Sequence, residues 1–477
     1  MDPLPLTIIL LYLAAVLGVG FAASRLVKTS SDFLLAGRRL GAPLVVAGLA
    51  ATHFGGGFVL GVGEDSYAHG LSGIAFAVGT AVGLIALGLV AARRMRELAL
   101  YTISDYLAHR YGSNLVRALG AGLSLVAVTG ILAAQVGATS GALAILGIAP
   151  EVGAVIAVLL FVLYTYFAGI WGVTLTDAVQ IVVIFIGLPV AAVLALGEVG
   201  GLAGLRAEVV ASGDLTEATF FSPVGMGTFA VMGIVLPVVM YDLVGQDFYQ
   251  RLFAARSAAV ARISAIIAGV LLAVFGIFPA ISGMVARVMF PDLDDPAAAI
   301  PELITEVMPV WAGAILVGAI LAAVMSTADS LLMAGSSHIT NDFMRKIAGR
   351  DEGEEAPANL KVARISVAVI GVGALGLALV MPGIISTLVF AYTMYAAGVF
   401  VPVVGGLLWK RATSTGAVAA IVVGSGIGLT GELNLVSYGD WPVIVVGGLG
   451  SLVAFVIGSL TTKPMQPIAG EPRPTQH

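Results

Sequence analysis

The sequence contains no cysteine, which excludes disulfides and thiolate metal sites. Charge is scarce as well. Asp, Glu, Lys and Arg make up 11% of the 477 residues, against about 25% in a typical soluble domain. A water-facing globular fold is therefore excluded, and the expected partner is a lipid bilayer. There is no Gly-x-x-x-x-Gly-Lys-Ser/Thr loop, so ATP is not the expected energy source. Neither a paired His/Asp metal spacing nor a nucleophile elbow occurs, which argues against an enzyme. No basic residue precedes the first apolar run, Leu4 to Ala23, so no cleavable signal peptide is expected. No soluble domain of any size is visible, and no nucleic-acid partner is expected; the oligomeric state is left open.

What is present is apolar: 59% of the residues are hydrophobic. A spanning helix needs about 20 mostly apolar residues. That test gives thirteen spans, near 4–25, 42–68, 71–92, 116–145, 150–171, 174–196, 227–250, 258–288, 308–337, 362–382, 385–409, 415–433 and 440–461. With the N-terminus outside, 21 of the 23 Lys and Arg residues fall in cytoplasmic segments, all but Arg206 and Arg287. Orientation follows Lys and Arg placement. The predicted protein is all-α and integral to the cell membrane, with its C-terminus inside. The polar segment 345–364 reads as a mobile linker, and the Pro-rich tail 462–477 as disordered and cytoplasmic.

Two spans carry breaks. "VVAGLAATHFGGGFVLGVGEDSY" (45–67) places three consecutive glycines, Gly55 to Gly57, at mid-membrane beside Thr52 and His53. Unwound backbone is tolerated there only where it is buried in protein or lines a cavity. Span 7, "FAVMGIVLPVVMYDLVGQDFYQRL" (229–252), carries Pro237, followed by Asp242 and Gln246. Paired interrupted helices five spans apart point to an inverted-repeat transporter. Repeat 1 then covers 42–196 (spans 2–6) and repeat 2 covers 227–409 (spans 7–11). Span 1 (1–30) and spans 12–13 (415–461) are peripheral.

Span 9 contains "LAAVMSTADSLLMAG" (321–335). On a helix Ala323, Ser326, Thr327 and Ser330 share one narrow face, with Asp329 at its edge. An intramembrane carboxylate marks an ion or solute path by default. Oxygen ligands without nitrogen or sulfur suit a small hard cation. Set against carbonyls freed by the break in span 2, this face predicts an alkali-ion site of two hydroxyls and three carbonyls, made for Na+.

The stretches "DFLLAGRRLG" (32–41), "ATHFGGG" (51–57), "GIWGVTLTDAVQ" (169–180), "GQDFYQRLFAARS" (245–257) and "AAVMSTADS" (322–330) resemble the sodium:solute symporters, the group of sodium/proline, sodium/sugar and sodium/choline transporters. The resemblance implies a leucine-transporter-like five-plus-five fold of thirteen spans. It also implies a sodium site from the carbonyls of Ala51, Phe54 and Ala323 and the hydroxyls of Ser326 and Thr327. A second sodium site is implied at Asp177, Ser326 and Ser330. Asp329 stands where members with that site carry Ser, and is read as an added ligand or a proton holder. The local pattern is similar to the choline branch, but the aromatic cage that cation–π recognition requires is missing. His53 replaces a Trp, and in an ungapped alignment Val128 and Gly245 stand at two other Trp positions. Proline-type members carry an Asp at the His53 position, which is also absent here.

His53 beside the break, with helix N-termini near Gly55 to Gly57, favours an anionic group. The expected solute is a carboxylate-bearing organic acid or amino acid. Thr52, His53, Gly55, Gly56, Phe58, Tyr241 and Gln246 are the expected lining. Glu64 and Asp65 are read as an outer gate or interfacial pair, and Asp247 and Arg251 as an i, i+4 pair. His338 and Asp342 are read as solvated helix-end residues, and Asp105 and His109 as part of an interfacial helix. The expected activity is sodium-coupled symport of a small organic solute by alternating access. The rivals are proton coupling through Asp329 or His53, a choline-type transporter with an altered cage, and a solute sensor that does not transport.

Overall fold

The computed structural model describes residues 3–145, 147–213, 215–349, 357–381 and 383–463. Most of the tail and the middle of the 345–364 linker lie outside the described residues. Among the described residues the chain is helical and has no strand; one isolated bridge joins Leu40 and Ala255.

The chain opens with α1 (Pro3–Ala23), the short α2 (Ser30–Leu35) and α3 (Ala42–His53). α3 stops in mid-protein, and a widened turn over Gly57–Gly61 leads into α4 (Val62–His69). Next come α5 (Ala75–Val90), α6 (Ala92–Glu97), α7 (Ile103–Tyr111) and α8 (Asn114–Ala144). α9 (Pro150–Glu198) turns sharply at Gly169, where φ is +53°. A side chain there would run into Phe33, so a glycine allows both the left-handed backbone and the close approach. The bend divides α9 into the two expected spans. α10 (Gly201–Ser212) and α11 (Glu217–Phe220) fill the long connection to the second broken pair, α12 (Thr228–Asp242) and α13 (Gln246–Ala254). α14 (Ala258–Phe275), α15 (Ile277–Met289) and α16 (Ala299–Glu302) precede α17 (Val310–Ser337). α18 (Pro357–Ala378), α19 (Ile384–Leu408), α20 (Ser414–Glu432) and α21 (Val443–Thr461) complete the bundle.

By length and composition eleven described segments qualify as membrane spans, while Leu10–Leu26 and Ala42–His53 are apolar but shorter. The expected second span is thus two half-helices rather than one rod. Pro237 does not interrupt its helix. α12 runs through it to Asp242, and the break falls at Leu243–Gly245. Neighbouring helices supply what a membrane proline removes, whereas Gly245 adopts the extended backbone (φ −66°, ψ 124°) that ends α12 and launches α13.

α17 is the axle. It is apolar on nearly every face, so it must be enclosed, and it packs against α9, α8, α1, α18 and α3. Its residues from Leu316 to Ser337 are all buried. Its hydroxyl face meets the end of α3.

Candidate functional site

The first break is two residues long. Phe54 leaves the helical region (φ −71°, ψ 44°), and the ladder restarts when Phe58 and Val59 donate to the Gly55 carbonyl at 3.1 and 3.0 Å. The Gly56 N–H, orphaned by the break, donates to Gln135 Oε1 of α8 at 2.8 Å. A Cβ on Gly55 would stand 2.6 Å from Thr327 Oγ1 and 2.8 Å from Gln135 Oε1. Only glycine lets α17 and α8 approach this closely.

Across the gap, Ser326 Oγ lies 2.8 Å from the carbonyls of both Ala51 and Ala323. Thr327 Oγ1 lies 2.8 Å from the Thr52 carbonyl and 3.1 Å from that of Ala323. Three carbonyls therefore face two hydroxyls, which bring only two protons. The group is rich in acceptors, wholly of oxygen and fully enclosed. The structure brings together Ala51, Ala323, Ser326 and Thr327 as expected and adds the carbonyl of Thr52. The hydrogen bonds of these two hydroxyls do not go to Phe54, whose ring instead packs against Phe58, Phe185 and Phe275. Thr52 presents its side chain to Gly48 O at 2.6 Å and Ser330 Oγ at 3.0 Å. It belongs to this crossing.

One turn along α17, Asp177 and Ser330 do not meet each other directly. The Arg251 guanidinium stands between them, 3.0 Å from Asp177 Oδ2 and hydrogen-bonded to Ser330 Oγ. This corrects the i, i+4 pair read from sequence: Arg251 bonds only the backbone carbonyl of Asp247, at 3.1 Å, and its carboxylate partner is Asp177. A fully buried guanidinium needs a desolvated counter-charge, and α9 supplies it. Asp329 turns to Thr165, which donates to its Oδ1 at 2.9 Å.

At the second break, His53 Nε2 lies 3.0 Å from Asp242 Oδ2, and its ring stacks on Phe248 at 4.4 Å. Nε2 of the imidazole is thus engaged by an acid and is not free to meet a carboxylate-bearing solute. The Tyr241 hydroxyl donates to Asp247 Oδ1 at 3.0 Å, and its ring lies 4.3 Å from that of Tyr392. Gln246 is fully spent away from any solute. It accepts from the Ile103 N–H at 2.8 Å and donates to Tyr101 O and Ser337 Oγ at 3.1 and 3.2 Å.

A cavity of about 210 Å³ lies on one side of the first break, lined by Glu64, Leu60, Ala138, Ile384 and Thr387 among others. Ala138 and Ile384 also pack on Gly56. At the other end of α8, about 30 Å away along the helix, a buried network closes the protein. Arg117 pairs with Asp105 and, at 2.9 Å, with Asp342. His338 lies 2.8 Å from both Asp342 Oδ2 and Ser124 Oγ. Thr102 donates to Asp342 and Asn341 to Asp105. His338 and Asp342 are thus not solvated helix-end residues, and Asp105 is buried. Sequence reasoning missed the parts played by Gln135, Thr165 and Tyr392; an amide amid the apolar face of α8 was the one visible sign.

Two helices broken at mid-length, with enclosed oxygens at one break and ionisable side chains at the other, define a helical secondary transporter. The model of the sodium:solute symporter family matches residues 33–424, and the chain belongs to that family. It is 27% identical over 467 residues to the high-affinity choline transporter 1 of Caenorhabditis elegans, covering 91% of this chain and 79% of that protein. It is 28% identical over 488 residues to the sodium/proline symporter of Haemophilus influenzae, covering 96% and 95%. In fold it matches a substrate-bound, outward-open Na+-coupled sialic acid symporter with a TM-score of 0.82, at 22% identity, over 98% of this chain and 99% of that one. The expected family and all-helical transporter fold are thus found; it is a multi-pass membrane protein and not an enzyme.

Proposed function

We propose that the chain imports a small organic solute together with Na+, and that the ion is held where α3 breaks against α17. The observation that carries this reading is the convergence of the Ala51, Thr52 and Ala323 carbonyls on Ser326 and Thr327, five oxygens with two protons among them. An alkali ion takes lone pairs from all five and lets the hydroxyl hydrogens rotate outward. The Phe54 carbonyl, which follows directly at the break, is the family-derived candidate for a further ligand. Among the described residues no cluster of three or more His, Asp or Glu competes as a metal site.

The same oxygens belong to two elements that must part for the solute to pass. Na+ at their junction ties α3 to α17 and so favours the state in which the cavity beside Gly56 admits solute. With the N-terminus outside, that cavity faces outward and the Arg117–Asp342 network closes the cytoplasmic side. Each sodium moving inward gains about 2.3 kcal/mol per 100 mV of inside-negative potential. The two breaks begin the proposed repeats 42–196 and 227–409.

The test is uptake into liposomes holding the purified protein, with and without an inward sodium gradient. Ser326→Ala is expected to raise the sodium concentration for half-maximal uptake about tenfold. Unchanged sodium dependence removes the site, and uptake that needs no sodium and rises in acid replaces it with proton coupling.

A further inference from the structure

A groove on the outer surface of the bundle stands apart from both breaks. The chain leaves α5 at Ala91, where the backbone departs from the helix (φ −120°, ψ −38°), and α6 then runs against α14. Between α6 and α14 lies a groove of about 450 Å³. Arg93 and Glu97 line it from α6, and Arg262, Ile263 and Ile266 from α14. A Cβ on Gly88 would stand 2.7 Å from Ile266 and 3.0 Å from the Arg262 carbonyl, so bare backbone lets α5 and α14 touch beside the groove. With the N-terminus outside, this is the cytoplasmic end of both helices.

Its charge is unbalanced. Arg96 is spent on the Ala255 carbonyl at 2.6 Å, which pins α6 to the chain between α13 and α14. Arg93 has Glu97 at 3.0 Å, but the two side chains are 66% and 53% exposed, and such a surface pair contributes little and opens easily. Arg262 is exposed, and among the described residues it has no ion pair. Two guanidiniums against one carboxylate leave the groove net positive. Ala258 and Ala259, the first turn of α14, add N–H groups that no helical carbonyl reaches. The adjoining surface is apolar. Ile263, Ile267, Val270 and Val274 are 42–56% exposed and follow at i, i+4, i+7 and i+11, which makes one stripe along α14. From Ile263 to Val274 the helix rises about 16 Å, near half of the roughly 30 Å hydrocarbon core. That is the depth of one leaflet.

We infer that the groove holds an anionic phospholipid of the cytoplasmic leaflet, its phosphate between Arg93 and Arg262 and an acyl chain along the stripe from Ile263 to Val274. Charge complementarity selects the headgroup, since basic pockets between spanning helices on this side of a membrane bind such groups. The stripe selects a lipid over a soluble phosphate, which has no chain to cover it. The inference needs the proposed orientation but neither the ion nor the solute. α14 follows α13 in the chain and packs against α3, α5 and α13. A lipid that ties α6 to α14 therefore steadies a helix touching both broken pairs.

The test uses the full chain, purified in detergent and stripped of bound lipid. Native mass spectrometry compares retention of dioleoylphosphatidylglycerol and dioleoylphosphatidylcholine offered in equal amounts. The expected result is about a tenfold preference for the anionic lipid, the scale of two surface arginines. Arg93→Ala combined with Arg262→Ala should abolish that preference, and Arg262→Lys should keep most of it. Ile267→Gln should lower retention of the anionic lipid about twofold without touching either charge. These side chains are exposed, so the variants should fold, and an unchanged melting temperature in phosphatidylcholine alone checks it. Equal retention of the two lipids by the wild type, or an unchanged preference in the double variant, overturns the inference. Displacement of the lipid by inorganic phosphate or glycerol phosphate at equal concentration marks a free-anion site and overturns it as well. So does a dimer that the double variant splits while lipid retention stays the same, which would give the groove to a second copy of the chain.

Discussion

The two breaks solve one problem in opposite ways. At the first, the chain opens over Phe54–Gly55 and the freed oxygens are met by neutral hydroxyls of α17. At the second, it opens over Leu243–Gly245 and the neighbours are acids, an imidazole and tyrosines. Neutral oxygen dipoles can bind a small cation and still release it. Full charges, held dry, bind a complementary ligand firmly or neutralise one another. The contrast sets neutral backbone and hydroxyl oxygens at the first break against ionisable side chains at the second.

The largest expected effect comes from upsetting the charge balance between the breaks. Arg251→Ala leaves Asp177 buried and alone, which should destabilise the fold by about 3–5 kcal/mol. Thermal unfolding in detergent measures it, and an unchanged melting temperature would show that Asp177 finds another partner. A middle effect is expected at the ion crossing. Thr327→Ala should raise sodium half-saturation about tenfold, equivalent to about 1.4 kcal/mol, whereas Thr327→Ser keeps the hydroxyl and should stay within about twofold. Equal losses in both would mean that the methyl packing matters and the oxygen does not. The smallest expected effect on sodium affinity is at Gln135. Gln135→Leu strands the Gly56 N–H, at a cost of about 1–3 kcal/mol for a buried donor, and should reduce transport rate more than sodium affinity. A selective loss of sodium affinity would instead bring Gln135 into the ion site.

Much of this was legible in the sequence, for identifiable reasons. Apolar runs of spanning length reveal helices because lipid permits little else. The glycine run at Gly55–Gly57 and the hydroxyl face at Ser326–Thr327 are local patterns, and both lie where the first break meets α17. Pairings across long sequence distances were not legible. Asp247 and Arg251 look like partners because four residues separate them, yet the counter-charge comes from Asp177, 74 residues away. His53 looks like a free donor until α12 brings Asp242 beside it from 189 residues away. Pro237 marks the right span but not the right residue, since packing repairs a membrane proline and leaves Gly245 to yield.

The closed end of the bundle has a consequence for direction of travel. Asp105 and Asp342 share Arg117, and His338 and Asn341 hold them further. Separation of those elements, on the alternating-access reading proposed above, would expose both acids to water. On the proposed orientation a Na+ released there would pass these two acids, so the groups that hold this end shut would also draw the ion out.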